Sequence, residues 1–165
     1  MIDKKLFLLL ALILSFVLLV FSKIYTQETD DIKTVSFDKS LSGYTYPFKL
    51  FKYKFQSQGK TLEMAYMYLP PTNSEKRIIT LLHGKNFNGA YWKETAELLN
   101  SMGYGVLMPD QLGFGKSSKP LDYQYSFEAL ANNTKKLLEY IGIESTQIIG
   151  HSMGGMLASR FALMF

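Results

Sequence analysis

The chain has 165 residues, no cysteine and a formal net charge of +4, and 47% of its residues are hydrophobic. This length favours a single domain, and the apolar content favours a packed globular body over a disordered chain. The lack of cysteine excludes a structural disulfide, and the modest positive charge comes without a basic helix or a recognised module for binding nucleic acid.

The first 22 residues differ in character from the rest of the chain. Two lysines and the free amine lie within residues 1–5, and residues 6–21 are apolar apart from Ser15. This run is slightly long for the core of a signal peptide and slightly short for a helix that spans a bilayer. A cleaved signal peptide, an uncleaved membrane anchor and a buried helix remain as alternatives for residues 1–22. The first two predict an extracytoplasmic protein, periplasmic or secreted, or one held in the membrane by residues 6–21.

Residues 23–46 separate this hydrophobic helix from the globular body. Acidic residues lie near the start of the segment, at Glu28, Asp30 and Asp31, and its apolar residues show little periodicity. We predict a polar lead-in, either a tether or a segment that follows the protein surface. The globular body is then predicted to occupy residues 47–165.

An antiparallel hairpin is predicted at the start of this body. Aromatic residues alternate with lysines from Phe51 to Phe55, and a second alternation runs from Leu62 to Tyr68. Polar residues and a glycine at 56–60 provide the turn between them. Alternation with a period of two is typical of strands that bury one face.

Strands and helices alternate after the hairpin. Strands are predicted at Arg77–Leu82, Tyr104–Met108 and 147–149, and helices at Ala90–Met102, at 126–141 and after residue 152. This order requires right-handed crossovers and a mostly parallel sheet with flanking helices, the α/β class. Residues that follow such strands gather at one edge of the sheet, where ligands bind. That edge is predicted to hold residues 83–86, residues 110–115 and Ser152.

The segment Gly150-His151-Ser152-Met153-Gly154 fits the pattern G-x-S-x-G between the last predicted strand and the last helix. In so tight a turn, a Cβ at Gly150 or Gly154 would collide with neighbouring backbone. The turn would expose the hydroxyl of Ser152 and point the following amides at a developing negative charge. Ser152 is therefore the candidate nucleophile. The simpler alternative is a glycine-rich turn that carries a surface serine.

From His83 to Phe165 the chain resembles the α/β-hydrolase fold-1 family, in particular its bacterial serine-hydrolase branch. The matching pieces cover about half of the chain in the family's order: Leu81-Leu82-His83-Gly84, Asn88-Gly89-Ala90-Tyr91-Trp92, Pro109-Asp110-Gln111-Leu112-Gly113-Phe114-Gly115-Lys116-Ser117 and Gly150-His151-Ser152-Met153-Gly154-Gly155. The resemblance implies an α/β-hydrolase fold of which residues 47–165 form the N-terminal portion, with the C-terminal part missing.

The resemblance also implies an oxyanion hole, a pair of amides that stabilise the negatively charged intermediate. Its donors would be the backbone N–H groups of Met153 and of Lys85, with Asn86 as the alternative to Lys85. His83 and Gly84 begin this loop, and His83 is expected to hold its backbone.

The general base implied by the resemblance is a histidine that an acid orients, both expected beyond Phe165. His83 and His151 are the two histidines of the chain, and neither occupies that position. His151 is expected to pack or to form hydrogen bonds within the elbow.

We therefore predict a serine hydrolase that acts on a small-molecule carbonyl substrate, most simply an ester, through an acyl-enzyme. Carbon–carbon bond hydrolysis, aminopeptidase and haloperoxidase chemistry use the same arrangement of serine, base and oxyanion hole. A serine at the elbow argues against haloalkane dehalogenase and epoxide hydrolase chemistry.

No cofactor or metal is predicted, because no cluster of side chains has metal-ligand spacing. The alternative is an inactive truncated fragment or a membrane-anchored binding module without catalysis. We expect the 165-residue chain alone to be marginally folded and at best weakly active.

Overall fold

The computed structural model describes residues 12–19, 35–73 and 77–165. The chain divides into two compact units, Met1–Ser36 and Phe37–Phe165. In the first unit residues 12–19 are helical, and the rest of the predicted signal peptide or anchor lies outside the described residues. Among the described residues, no helix combines the length and the apolar character needed to cross a bilayer.

The described residues of the second unit form a five-stranded sheet and three α-helices. In chain order the elements are β1 (Leu50–Ser57), β2 (Lys60–Leu69), β3 (Ile78–Leu82), α1 (Lys93–Ser101), β4 (Gly105–Pro109), α2 (Phe127–Tyr140), β5 (Thr146–Gly150) and α3 (Met153–Met164). The predicted hairpin and the predicted alternation of strands and helices are both present.

The strands lie in the order β1-β2-β4-β3-β5. The β1–β2 hairpin is antiparallel, and β2 also pairs antiparallel with β4. Strand β3 runs parallel to both of its neighbours, β4 and β5. The sheet is therefore mixed, with three parallel strands on one side, and it has the N-terminal hairpin and the flanking helices of the predicted α/β architecture.

Two apolar clusters cover the two faces of the sheet. One cluster contains Leu130 and Leu138 of α2 and Leu157 and Phe161 of α3, and the other contains Ala96 of α1. All five residues of β4 are buried, as expected for a parallel strand with helices on both sides. The sheet is thus the middle layer of three.

One helix begins differently from its prediction. Instead of a single helix over Ala90–Met102, the chain forms a 3₁₀ turn at Gly89–Trp92 and then α1 from Lys93. The cause is local, because the side chain of Asn88 accepts a hydrogen bond of 2.9 Å from the N–H of Ala90 and so caps the tighter turn.

The connections place a crevice at β3. The chain passes from β3 to β4 on one side and then crosses to β5 on the other side of β3. Such a reversal of direction in a parallel sheet opens a crevice at the carboxyl ends of the strands, where ligands bind. The carboxyl ends of β3 and β5 are adjacent, since Leu82 is paired with Gly150.

Candidate active site

Ser152 lies between the end of β5 and the first residue of α3, in a strained backbone conformation. Its φ is 53° and its ψ is −118°. A positive φ is uncommon in a residue with a Cβ, and such strain persists only where the surrounding structure imposes it. The side chain is exposed. The turn therefore presents the hydroxyl to solvent at the carboxyl edge of the sheet.

Two glycines allow this turn to form. A Cβ on Gly150 would lie 2.1 Å from the carbonyl oxygen of Gly154, and a Cβ on Gly154 would lie 2.1 Å from the carbonyl oxygen of Leu82. Both obstacles are backbone atoms, which cannot rotate away as a side chain can. Any larger residue at either position would push α3 away from β5 or β3.

The loop that follows β3 lies directly against the elbow. The N–H of His151 donates a hydrogen bond of 3.1 Å to the carbonyl of Leu82. A Cβ on Gly84 would lie 3.0 Å from Nδ1 of His151. The N–H of Phe87 donates to the carbonyl of Gly84 at 3.2 Å and closes a turn around Lys85 and Asn86. The structure thus brings the predicted loop and the predicted elbow together.

The two predicted oxyanion donors have free backbone N–H groups. Among the described residues, none accepts a hydrogen bond from the amide of Lys85 or from that of Met153. The next amide of α3, that of Gly154, already donates to the carbonyl of His151 at 2.8 Å. The amide of Met153 lies at the start of α3, where the helix dipole adds to the attraction of the N–H group for negative charge.

His83 joins the loops that follow β3 and β4. Its ring is fully buried. Nδ1 donates to the carbonyl of Gly84 at 2.8 Å, and Nε2 accepts from the N–H of Gln111 at 2.9 Å. Burial lowers the pKa of His83, which favours this neutral form. Both ring nitrogens are occupied, so neither is free to take a proton from Ser152.

The side chain of His151 is exposed and packs on the other side of the same loop. Its ring lies edge-on to the rings of Phe87 and Tyr91, with centroids 6.0 Å away in each case. In the described structure, no hydrogen bond connects its ring to the Ser152 hydroxyl. His151 therefore contributes an aromatic surface to the elbow.

Asp110, to which the sequence pattern assigns no individual role, organises the site. Its buried carboxylate accepts hydrogen bonds of 2.7 Å from the N–H of Gly89 and from the N–H of Lys116, and a third from the Tyr46 hydroxyl. It therefore ties together the loops after β3 and β4. The sequence feature that could have identified Asp110 is its position: a carboxylate at the end of a strand, followed by the glycine-rich loop that ends in Gly115. A Cβ on Gly115, where φ is +53°, would lie 2.0 Å from this carboxylate.

Tyr46 extends this network into the segment predicted as a polar lead-in. Burial, reinforced by the negative charge of Asp110, raises the pKa of Tyr46 above its usual value, so the hydroxyl stays protonated and donates. The ring of Tyr44 meets the rings of Phe37 and Tyr46 edge to face, with centroids 5.5 Å apart in the first pair and 5.6 Å apart in the second. Through Tyr46, these contacts connect Phe37 and Tyr44 to the rest of the compact unit Phe37–Phe165.

A cavity of about 430 Å³ opens beside the elbow. The two predicted oxyanion residues, Lys85 and Met153, line it. The other lining residues belong to the loop after β4 and to α2: Gly113, Phe114, Lys119, Pro120, Leu121, Tyr125 and Leu130. Its volume is in the range of small-molecule sites, about 300–1,000 Å³. A second cavity, of about 330 Å³, lies along β5 between α2 and α3 and contains none of the predicted site residues. Within the described ranges, no group of three or more potential metal ligands occurs.

A family model described as the alpha/beta hydrolase fold matches residues 77–165. A probable hydrolytic enzyme from Pseudomonas aeruginosa PAO1, known from a crystal structure, is 48% identical, superposes with a TM-score of 0.75, and is matched over 78% of this chain and 41% of its own. A fluoroacetate dehalogenase from a Burkholderia species is 38% identical over 89 residues, 52% of this chain and 29% of its own length. Lipase 3 of Moraxella sp. strain TA144 is 33% identical over 100 residues, 60% of this chain and 31% of its own length. The chain spans only part of the length of the curated relatives that it matches, 29% and 31% in these two and 25% in a third.

Proposed function

Since this chain belongs to the α/β-hydrolase fold family, we propose that it carries the nucleophile of a serine hydrolase that cleaves esters through an acyl-enzyme. The observation that carries the proposal is the backbone of Ser152, held at positive φ between a strand and a helix with its side chain exposed. Strain of this kind at a solvent-facing hydroxyl serves no evident packing purpose. It does present the hydroxyl to solvent next to Met153, whose amide lacks an acceptor, as does that of Lys85 in the adjacent loop.

The proposed reaction has two steps. Oγ of Ser152 attacks the carbonyl carbon of the ester while its proton passes to a base, and the tetrahedral oxyanion accepts hydrogen bonds from the N–H groups of Lys85 and Met153. Collapse of this intermediate releases the alcohol, which takes up the proton, and leaves the acyl group on Ser152. Water then adds to the acyl carbonyl, and the carboxylic acid leaves as Oγ regains its proton. Each oxyanion donor would contribute on the order of 10²–10³-fold to the rate.

The base of this reaction is proposed to come from outside residues 1–165. His83 has both ring nitrogens engaged, by Gly84 and by Gln111. His151 packs against aromatic rings. The resemblance to serine hydrolases, in which a separate histidine serves as base, supports the same assignment.

Ester cleavage agrees better with the site than dehalogenation does, although the relatives include both a dehalogenase and a lipase. Attack on an ester creates negative charge on a carbonyl oxygen, which the free amides of Lys85 and Met153 can stabilise. Displacement of a halide places the negative charge on the leaving atom and needs no such pair of amides. The elbow residue is also a serine, whose hydroxyl forms an ester with the acyl group.

The second candidate is a binding module that does not catalyse a reaction. The engagement of both His83 nitrogens favours it, because the described residues then supply no base for Ser152. This candidate would use the same cavity of about 430 Å³ to hold a ligand.

Labelling with a fluorophosphonate distinguishes the two candidates, since this probe reacts with activated serines. We expect slow but specific labelling of the 165-residue chain, lost in Ser152→Ala and kept in Ser159→Ala. Ser159 is a matched control, because it is an exposed serine seven residues further along the chain, in α3. Labelling that is absent, or equal in the two variants, would favour the binding module.

A further inference from the structure

The cavity beside the elbow combines an apolar wall with two positive charges. Phe114, Pro120, Leu121, Tyr125, Leu130 and Met153 supply apolar or aromatic surface. The charged side chains that line it are Lys85 and Lys119, and no acidic residue is among the described residues of the lining. A ligand that is apolar along most of its length and negative at one point would match this lining.

Lys119 is the better fixed of the two cations. Its side chain is partly buried, and Nζ donates to the carbonyl oxygens of Gly115 and Ser117. An ammonium group has three N–H bonds, so one remains available. The burial lowers the pKa of Lys119, as expected for a cation that has lost part of its hydration.

Within the described part of the chain, no carboxylate forms an ion pair with Lys119. The nearby acids are Asp110 and Asp38. The two oxygens of Asp110 accept hydrogen bonds from Gly89, Lys116 and Tyr46, and those of Asp38 accept from Ser40 and Ser42. A partly buried cation bonded only to neutral carbonyls is incompletely compensated. An anionic ligand would supply the missing charge.

Lys85 places a second positive charge at the reacting end of the cavity. Its side chain is exposed and forms no hydrogen bond or ion pair with a described residue, while its backbone amide is a proposed oxyanion donor. Two like charges in a cleft with low-dielectric walls raise the local concentration of anions.

We propose that this cavity binds an apolar chain that carries one anionic group, so that the substrate is an ester whose acyl chain ends in a carboxylate. Lys119 holds the carboxylate, and Lys85 strengthens the positive potential around it. That this ligand is also a substrate rests on the proposed function, whereas its binding does not depend on Ser152 acting as a nucleophile.

The test measures binding to the chain that carries Ser152→Ala, so that no ester is consumed. The probes are monomethyl adipate, an ester with a distant carboxylate, and its neutral isostere, in which a primary amide replaces that carboxylate. Titration followed by NMR gives both dissociation constants. Because a hydrogen bond to a charged group is stronger than one between neutral groups, we expect the anionic probe to bind about tenfold or more tightly.

Lysine variants locate the source of this preference. Lys119→Met should reduce it to about twofold or less while the neutral probe binds as before, and Lys119→Arg should retain most of it. Lys85→Met removes a side chain without partners, should leave the fold intact and should lower the preference several-fold. The control is Lys54→Met, at an exposed lysine of β1, which should change nothing.

Equal affinity for the two probes, no saturable binding of either, or a preference that survives both Lys119→Met and Lys85→Met would overturn the inference. If the preference is present but Ser152 is not acylated by an activated ester, the proposed function fails and the anion site stands. If Ser152 is acylated but the two probes bind equally, the proposed function stands and the anion site fails.

Discussion

Replacing Gly154 by alanine probes the packing that creates the elbow. The added Cβ would lie 2.1 Å from the carbonyl oxygen of Leu82, at the end of β3. Side chains in proteins do not approach a backbone oxygen so closely, and the two atoms must separate by roughly 1 Å because interiors are close-packed. The helix α3 would therefore have to move away from the sheet.

The expected loss of stability follows from two opposing effects. Overpacking a core lowers the free energy of unfolding by about 1–3 kcal/mol, and a clash between backbone segments belongs at the upper end. Alanine in a helix is favoured over glycine by about 1 kcal/mol. We expect Gly154→Ala to lower the free energy of unfolding by about 2 kcal/mol or more.

Gly155→Ala is the matched control. The two glycines are adjacent in α3, and the substitution is the same. A Cβ on Gly155 would have its nearest neighbour at 3.4 Å, an ordinary contact. Only the preference of alanine over glycine in a helix then acts, and we expect Gly155→Ala to raise the free energy of unfolding by up to about 1 kcal/mol.

Urea unfolding followed by circular dichroism measures the difference. With a denaturant dependence of about 1–3 kcal/mol per molar urea, the midpoints of the two variants should differ by on the order of 1 M. Equal midpoints, or a higher midpoint for Gly154→Ala, would refute the close approach of α3 to β3 on which the elbow depends.

Two further predictions concern the residues that hold the loops of the site. Tyr46→Phe removes one of three donors to the buried carboxylate of Asp110 and should lower the free energy of unfolding by about 1–3 kcal/mol. Tyr140→Phe, at an exposed tyrosine of α2, should have no effect in the same urea titration. The pKa of His83 is lowered in the folded protein, so the unfolded chain takes up its proton first as the pH falls below about 6.5. This contribution to stability should then be complete above this pH and decline as the pH falls below it, and the decline should be smaller in His83→Gln. Identical pH dependence in the two proteins would contradict the buried, neutral state of His83.

The parts of the fold that could be predicted from the sequence are those with a local pattern. Alternation predicts the β1–β2 hairpin, and helical spacing after Ser126 predicts α2, whose first turn this serine caps by accepting from the N–H of Ala129 at 3.1 Å. The requirement for glycine at position 150 is also local, because the obstructing atom belongs to Gly154 in the same turn. At Gly154 the obstructing atom is the carbonyl oxygen of Leu82 in β3, a contact between segments that are distant in the chain.

The parts that could not be predicted depend on contacts between distant segments. Tyr46 and Asp110 are 64 residues apart, and no periodicity marks Phe37, Tyr44 and Tyr46 as residues of the compact unit. Lys119 reaches the cavity through the course of the loop after β4, which has no regular secondary structure to make its position predictable.

Trapping the acyl intermediate tests the central claim most directly. The 165-residue chain is incubated with p-nitrophenyl butyrate, quenched with acid and digested, and its peptides are mapped by mass spectrometry. Neither histidine is placed to activate Ser152 or water, so acylation by this activated ester should be slow and hydrolysis of the acyl group slower still. We predict that a butyryl group accumulates on the peptide that contains Ser152, and that it is absent from Ser152→Ala and present in Ser159→Ala. Butyryl groups found only on lysines, or unchanged in Ser152→Ala, would show that Ser152 is not the nucleophile.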